Sequence, residues 1–221
     1  MEHPAGVIPA QEYRRERWRN GGGWTREIHA EGGPAWTWRL SIAELEGRAA
    51  FSRFPGVDRE LVLLAGDGLQ LEFDDGLVHA LAPPYQRLRF AGERGLQGAP
   101  LGGRAQCFNL MWRRGAVEAT VWHRPLAGAM VVFVDPGSTW GLHLLAGRVR
   151  FEGGTLPDMA MGDTALLRAP QGRTRYALDG GGEALLLRMD RRAGPAADQS
   201  RSSRAQTPPS AIRTGKRATG S

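Results

Sequence analysis

With 221 residues, the chain has room for one large domain or two small lobes around a real hydrophobic core. A single cysteine, Cys107, excludes an intrachain disulfide and points to a reducing cytoplasm, and the longest apolar runs, such as 129–134, are too short to cross a bilayer. The formal charge of +6 is carried by residues 191–221, where Arg191, Arg192, Arg201, Arg204, Arg213, Lys216 and Arg217 face only Asp198, so the body is neutral and specific nucleic-acid binding is not expected.

Glycine is abundant, proline frequent, and no long segment repeats apolar residues at helical spacing; the expectation is an all-β protein rich in turns. Residues 1–17 read as a polar lead-in with one short strand and no apolar leader segment. Asn20 to Glu27 (N-G-G-G-W-T-R-E) follows, and its three glycines suit either a tight turn or a binding loop. Trp24 to Ala30 alternates, and Gly32-Gly33-Pro34 punctuates. The clearest strand is Ala35 to Leu45, with Trp36, Trp38, Leu40 and Ile42 on one face and Thr37, Arg39, Ser41 and Ala43 on the other. With the tryptophan face in the core, solvent is the default surrounding for Arg39 and Ser41, and a cavity the alternative.

A turn-rich link, Phe51 to Gly56, leads into a strand over 59–65. The segment Leu61-Val-Leu-Leu-Ala-Gly66 recurs as Leu142-His-Leu-Leu-Ala-Gly147, and each copy continues into a short strand closed by a glycine turn, Leu69 to Gly76 and Val149 to Gly154. This pattern predicts a duplicated β unit, hence two lobes of short antiparallel strands forming small barrels or sandwiches. Arg59 and Phe90-Ala-Gly-Glu93 frame the first copy with polar groups that the second lacks, so the site is expected in the first lobe. Between the copies, Cys107 to Arg114 reads as a strand with Asn109, Met111 and Arg113 on one face. An amide and a guanidinium there suit a carboxylate; an edge strand with a solvated arginine face is the alternative. Segments 119–123 and 129–134 are further strands, and residues 191–221 read as a disordered basic tail.

The five histidines (His3, His29, His79, His123, His143) form no close-spaced cluster, and no nucleophile elbow, P-loop or dinucleotide fingerprint is present. No metal and no cofactor is therefore expected. Cys107 reads as a small buried residue rather than a nucleophile, and Glu72, Asp74 and Asp75 as a solvated turn tip.

The ordered motifs R-W-R-N-G-G-G-W-T-R-E (Arg17 to Glu27), W-R-L-S-I-A (Trp38 to Ala43), F-S-R-F-P-G-V-D-R (Phe51 to Arg59), L-L-A-G, F-A-G-E (Phe90 to Glu93) and F-N-L-M-W-R-R (Phe108 to Arg114) resemble the HutD/Ves family. The resemblance implies a bicupin-like, jelly-roll fold over residues 1–190, with lobes at about 13–115 and 116–190. It also implies a link to bacterial histidine utilisation, a regulatory role through sensing an intermediate such as urocanate or a formylated glutamate derivative, and stress-induced relatives. No catalytic activity attaches to the family. Its recurrent polar residues fall on Asn20, Thr25, Arg26, Glu27, Arg39, Ser41, Arg59, Glu93, Asn109 and Arg113, with Cys107 standing where the family pattern suggests Asp. The expectation is a metal-free, cofactor-free, non-enzymatic binder of a small carboxylate. Arg59 and Arg113 would pair the anion, Asn109 orient it, the glycine loop close over the mouth, and Trp18, Trp38 or Phe54 wall the pocket. A homodimer is left open, and no membrane partner is expected. The rival readings are a metal-independent cupin-type isomerase or hydrolase with Glu93 or Glu27 as general base, and a stress-related interaction module.

Overall fold

Alternation of apolar and polar side chains, broken every few residues by glycine or proline, gives strands and almost nothing else. A computed structural model describes residues 4–192; the tail reading for 191–221 falls almost wholly outside them. In chain order the strands are β1 (Gly6–Ile8), β2 (Arg14–Arg17), β3 (Gly23–Glu31), β4 (Trp38–Leu45), β5 (Ala49–Phe51), β6 (Val57–Ala65), β7 (Leu69–Phe73), β8 (Val78–Leu81), β9 (Arg87–Ala91), β10 (Leu96–Pro100), β11 (Ala105–Arg113), β12 (Val117–Val134), β13 (Ser138–Phe151), β14 (Met159–Ala160), β15 (Thr164–Arg168) and β16 (Thr174–Arg191). No helix among the described residues is long and apolar enough to cross a membrane.

Three antiparallel sheets result. The first runs β2-β3-β4-β11-β6-β9, the second β5-β10-β7-β8, and the third β1-β15-β13-β16-β12 with β14 beside β13. The first two enclose Ala43, Leu45, Leu61, Leu63, Leu69, Leu71, Phe73, Leu96 and Cys107 as one sandwich. The third turns back on itself around Leu142, Leu144, Val149, Phe151, Leu167 and Leu178 as a second. Both lobes are open sandwiches rather than closed barrels.

The central strands of the first sheet are covered on both faces. Their opposite face, with Trp38, Leu40, Ile42, Val62, Phe108, Leu110 and Trp112, packs against Val117, Ala119, Val121, Leu166, Leu185, Leu187 and Met189 of the second lobe. Fully burying side chains of this kind contributes about 1.5–3 kcal/mol each, so the contact between lobes is a core in its own right. A bidentate pair crosses it from Arg168 on β15 to Glu31 on β3, at 3.1 and 2.7 Å. His143 also lies at this junction, satisfied rather than solvated: its Nδ1 is 2.9 Å from Thr164 Oγ1 and its ring lies 5.0 Å from Phe108. Burial, with Arg26 nearby, pushes its pKa down to about 4.

The repeat is visible in the chain path. In the first copy β6 ends, Gly66 turns with φ 107°, and β7 begins; in the second, β13 runs through the equivalent Gly147 (φ 89°) as one bent strand. Both positions exclude a side chain. A Cβ on Gly66 would meet the Arg104 carbonyl oxygen at 2.5 Å, and one on Gly147 the Gly181 oxygen at 1.7 Å.

Three expected boundaries move. β4 begins at Trp38, because Gly33-Pro34-Ala35 forms a short 3-10 turn, and this takes Trp36 off the strand. Segments 119–123 and 129–134 belong to a single 18-residue strand, β12. The lead-in supplies two short strands, and β1 joins the second lobe's sheet beside β15.

Candidate functional site

The inward face of the first sheet can be read in rows set by the pairing register. Leu63, Cys107, Ala43 and Thr25 form one row; Leu61, Asn109, Ser41 and Glu27 the next; then Arg59, Met111 and Arg39. Along this face the chemistry passes from apolar to cationic. The second sheet covers the apolar end, and a cavity of about 510 Å³ opens over the polar end. Its floor is Ser41, Asn109, Met111, Arg39 and Arg59; Phe51, Ser52 and Phe54 wall one side, and Glu16 to Asn20 form the rim.

Arg59 is the dominant feature. Its residue is 4% exposed, and no acidic side chain pairs with it among the described residues. The guanidinium makes only long contacts, donating to the Ser52 carbonyl at 3.3 Å and to Asn109 Oδ1 at 3.4 Å, while Nε is buried without a partner. Three rings surround it, Phe51, Phe90 and Phe54, at 5.2, 5.3 and 5.7 Å. Burial first, and the neighbouring Arg39 second, push its pKa down to about 10. It therefore stays charged at neutral pH in a pocket that supplies no counter-charge to it. Asn109 in turn donates to Ser41 Oγ at 3.4 Å.

Six of the ten polar positions named from sequence line this cavity: Asn20, Thr25, Arg39, Ser41, Arg59 and Asn109. Glu27 stands behind it, its Oε2 2.6 Å from Arg39 Nε. The other three lie elsewhere. Arg26 has the opposite parity on β3 and pairs with Glu44 at 2.7 Å. Glu93 is exposed and chelated by Arg114, which holds its carboxyl below the usual range. Arg113 shares parity with Arg59 but lies one row beyond Met111, at the open end of β11; it donates to the Trp36 carbonyl at 2.8 Å and covers that ring. Arg113 is thus not placed to join Arg59 on one anion.

Of the proposed walls, Trp18 and Phe54 line the cavity, whereas Trp38 faces the second lobe. The glycine loop is a pinned turn beside the cavity, and only its first residue, Asn20, joins the rim. Asn20 accepts from the Gly22 N–H at 3.1 Å and donates to the Ala50 carbonyl at 3.1 Å, and Trp18 Nε1 donates to Thr25 Oγ1 at 2.8 Å. Sequence reasoning did not single out Phe51, Ser52, Met111 or the rim residues Glu16, Arg17 and Arg19 as site residues. Their signal was the F-S-R-F motif running up to Arg59, and the parity Met111 shares with Asn109. Cys107 sits fully buried one row below Asn109, its thiol pushed up to about 12 by burial, a state unsuited to nucleophilic attack. Among the described residues no three or more His, Cys, Asp or Glu side chains come together as a metal ion would need.

A pair of joined antiparallel sandwiches, one of them holding a polar cavity at its open end, defines a bicupin-like protein. The pirin YhhW of Escherichia coli, solved with nickel(II), shares this fold with a TM-score of 0.63 over 86% of this chain and all of that one, at 9% identity. The HutD family model matches residues 10–186, and the chain belongs to that family. HutD from Pseudomonas fluorescens SBW25, solved in a formate condition, superposes with a TM-score of 0.74 at 25% identity, covering 86% of this chain and 100% of that one. Among curated relatives, an uncharacterised 21.2 kDa protein from the hutC 3′ region of Pseudomonas putida is 39% identical over 109 residues, 48% of this chain and 57% of that protein. Protein Ves of Citrobacter koseri is 39% identical over 108 residues, 47% of this chain and 56% of that protein. These matches span just over half the length of those relatives.

Proposed function

We propose that this protein is a non-enzymatic receptor for a small carboxylate, regulating histidine utilisation by sensing an intermediate such as urocanate or a formylated glutamate derivative. The reading rests on one observation: Arg59 is buried and charged, has no acidic partner among the described residues, and faces a cavity large enough for a small organic acid. A buried cation without a counter-ion is costly to keep, and a carboxylate is the ligand that relieves it. Asn109 and Ser41 supply neutral hydrogen bonds beside it, and Phe51, Phe54 and Met111 an apolar wall for the body of the acid. The link to histidine breakdown comes from the family and from the hutC-region relative.

A catalytic reading finds little support. Glu27 is tied to Arg39, Glu93 lies on the surface, and Glu16, the one carboxylate lining the cavity among the described residues, is at the exposed rim. Thermal unfolding against a panel of histidine, urocanate, formylglutamate, glutamate and formate tests the proposal. A ligand at 100 times its Kd adds about 2.7 kcal/mol to stability. The expected result is a rise in Tm with at least one carboxylate that disappears in Arg59→Met. No rise with any acid, or an equal rise in the variant, overturns it.

A further inference from the structure

Two arginines share the cavity floor, but they are not in the same electrostatic state. Arg39 Nε donates to Glu27 Oε2 at 2.6 Å, and both side chains are about four-fifths buried. Arg59, against the same row of the sheet, has no acid among the described residues. The remaining charges around the opening are accounted for. Arg17 pairs with Glu46 at 2.7 Å, and Arg14 lies 3.4 Å from Glu27 and 3.8 Å from the rim residue Glu16. Arg19, at the rim, has no acidic partner among the described residues but is exposed, where solvent and salt screen it.

We infer that Glu27 is a specificity-determining residue: by neutralising Arg39 it leaves the floor with one uncompensated positive charge, so that the cavity selects acids with a single carboxylate over those with two. This rests on the carboxylate-receptor reading and narrows it to acids with one carboxylate, such as urocanate, and against a formylated glutamate derivative, which carries two. A first carboxylate meets the bare guanidinium of Arg59. A second, drawn to the same floor, loses its hydration and finds only an arginine already balanced, with the Glu27 charge directly behind it. Arg39 still presents guanidinium N–H groups to the ligand, but as a hydrogen-bond donor within a neutral pair.

The test compares acids of equal carbon number, propionate with malonate and butyrate with succinate, by calorimetric titration at about pH 8, where both carboxylates are ionised. Three proteins are used: wild type, Glu27→Gln and, as a remote control, Glu152→Gln. The glutamine amide oxygen can still accept the Arg39 N–H, so the first variant changes charge with little change of shape. Glu152 is an exposed residue of the second lobe paired with Arg175 at 3.0 Å. Wild type is expected to bind each monoacid about tenfold or more tighter than its diacid, and Glu27→Gln to erase or invert that ratio, since one unbalanced charge inside a protein is worth at least this much. Glu152→Gln is expected to keep the wild-type ratio. Diacids binding wild type as tightly as monoacids would overturn the inference while leaving the receptor reading intact, as would an unchanged ratio in Glu27→Gln or a ratio moved equally by Glu152→Gln. Failure of wild type to bind any of the four acids would overturn the inference, and together with no rise in Tm on the acid panel above it would remove the receptor reading itself.

Discussion

Replacing Arg59 by methionine should make the ligand-free protein more stable while abolishing carboxylate binding. Burial and Arg39 depress the guanidinium pKa to about 10, and a depression of that size costs about 3 kcal/mol. The sign follows from the proton balance: the unfolded chain binds this proton more tightly, so the cost is fully present below pH 10 and is relieved only as pH rises through that value. At pH 7 it is complete, and with the residue 4% exposed little of it is lost to screening. Three ring contacts at 5.2–5.7 Å offset part of it, together about 1–2 kcal/mol. The two hydrogen bonds are long and weak. Methionine keeps the stem's packing without the charge, so a net gain of about 1–2 kcal/mol is expected, or about 3–6 °C in Tm for a chain of this length. Urea titration and calorimetry in a buffer free of carboxylates measure it. If the variant is less stable than wild type, Arg59 is a structural cation already satisfied by the protein, and the argument for an anion there collapses.

Two other outcomes follow from the same geometry. Gly147→Ala should cost more than about 3 kcal/mol, because its Cβ would overlap a carbonyl oxygen, whereas Gly137→Ala, at a similar φ in open space, should cost only about 1 kcal/mol; equal losses in urea denaturation would contradict the crowding argument. His143, buried and neutral with a pKa near 4, makes the protein lose stability as pH falls from about 6.5 to 4, since the unfolded chain takes up that proton first. Relative to its own value at pH 7, His143→Gln should lose about 2–3 kcal/mol less than wild type at pH 4, and parallel pH profiles of the two proteins would show that the histidine is not the cause.

The all-β class, the duplication and the family were legible from alternation, from the repeated L-x-L-L-A-G and from the run of motifs. Alternation also assigned Asn109 and Met111 to one face of β11, and Arg39 and Ser41 to one face of β4. It could not say what lay over those faces. Solvent was the default for Ser41, yet it is 1% exposed, because its face is the floor of a cavity whose walls and rim shut out bulk solvent. Parity also cannot tell where a roof ends: Arg113 and Arg59 share a face, but one more row carries Arg113 past the cavity. Trp36 shows a third limit. A Gly-Pro turn ahead of β4 breaks the period, so the same odd-even count that placed Trp38 misplaced its neighbour. The rim from Glu16 to Asn20 comes from a local hairpin, β2 turned back onto β3 through the glycine loop; the pattern marks the turn but not the cavity it borders.

The wall shared by the lobes has a practical consequence. Trp38, Phe108 and Trp112, with Leu40, Ile42 and Leu110, face away from the cavity yet are almost wholly hidden, and what hides them is the other half of the chain. A fragment cut after Arg113 would keep every residue of the cavity and uncover this entire apolar plate, a surface that drives aggregation. The half that holds the ligand site cannot be taken out as a stand-alone sensor: the second copy acts as its splint, and the smallest working unit is the doubled one.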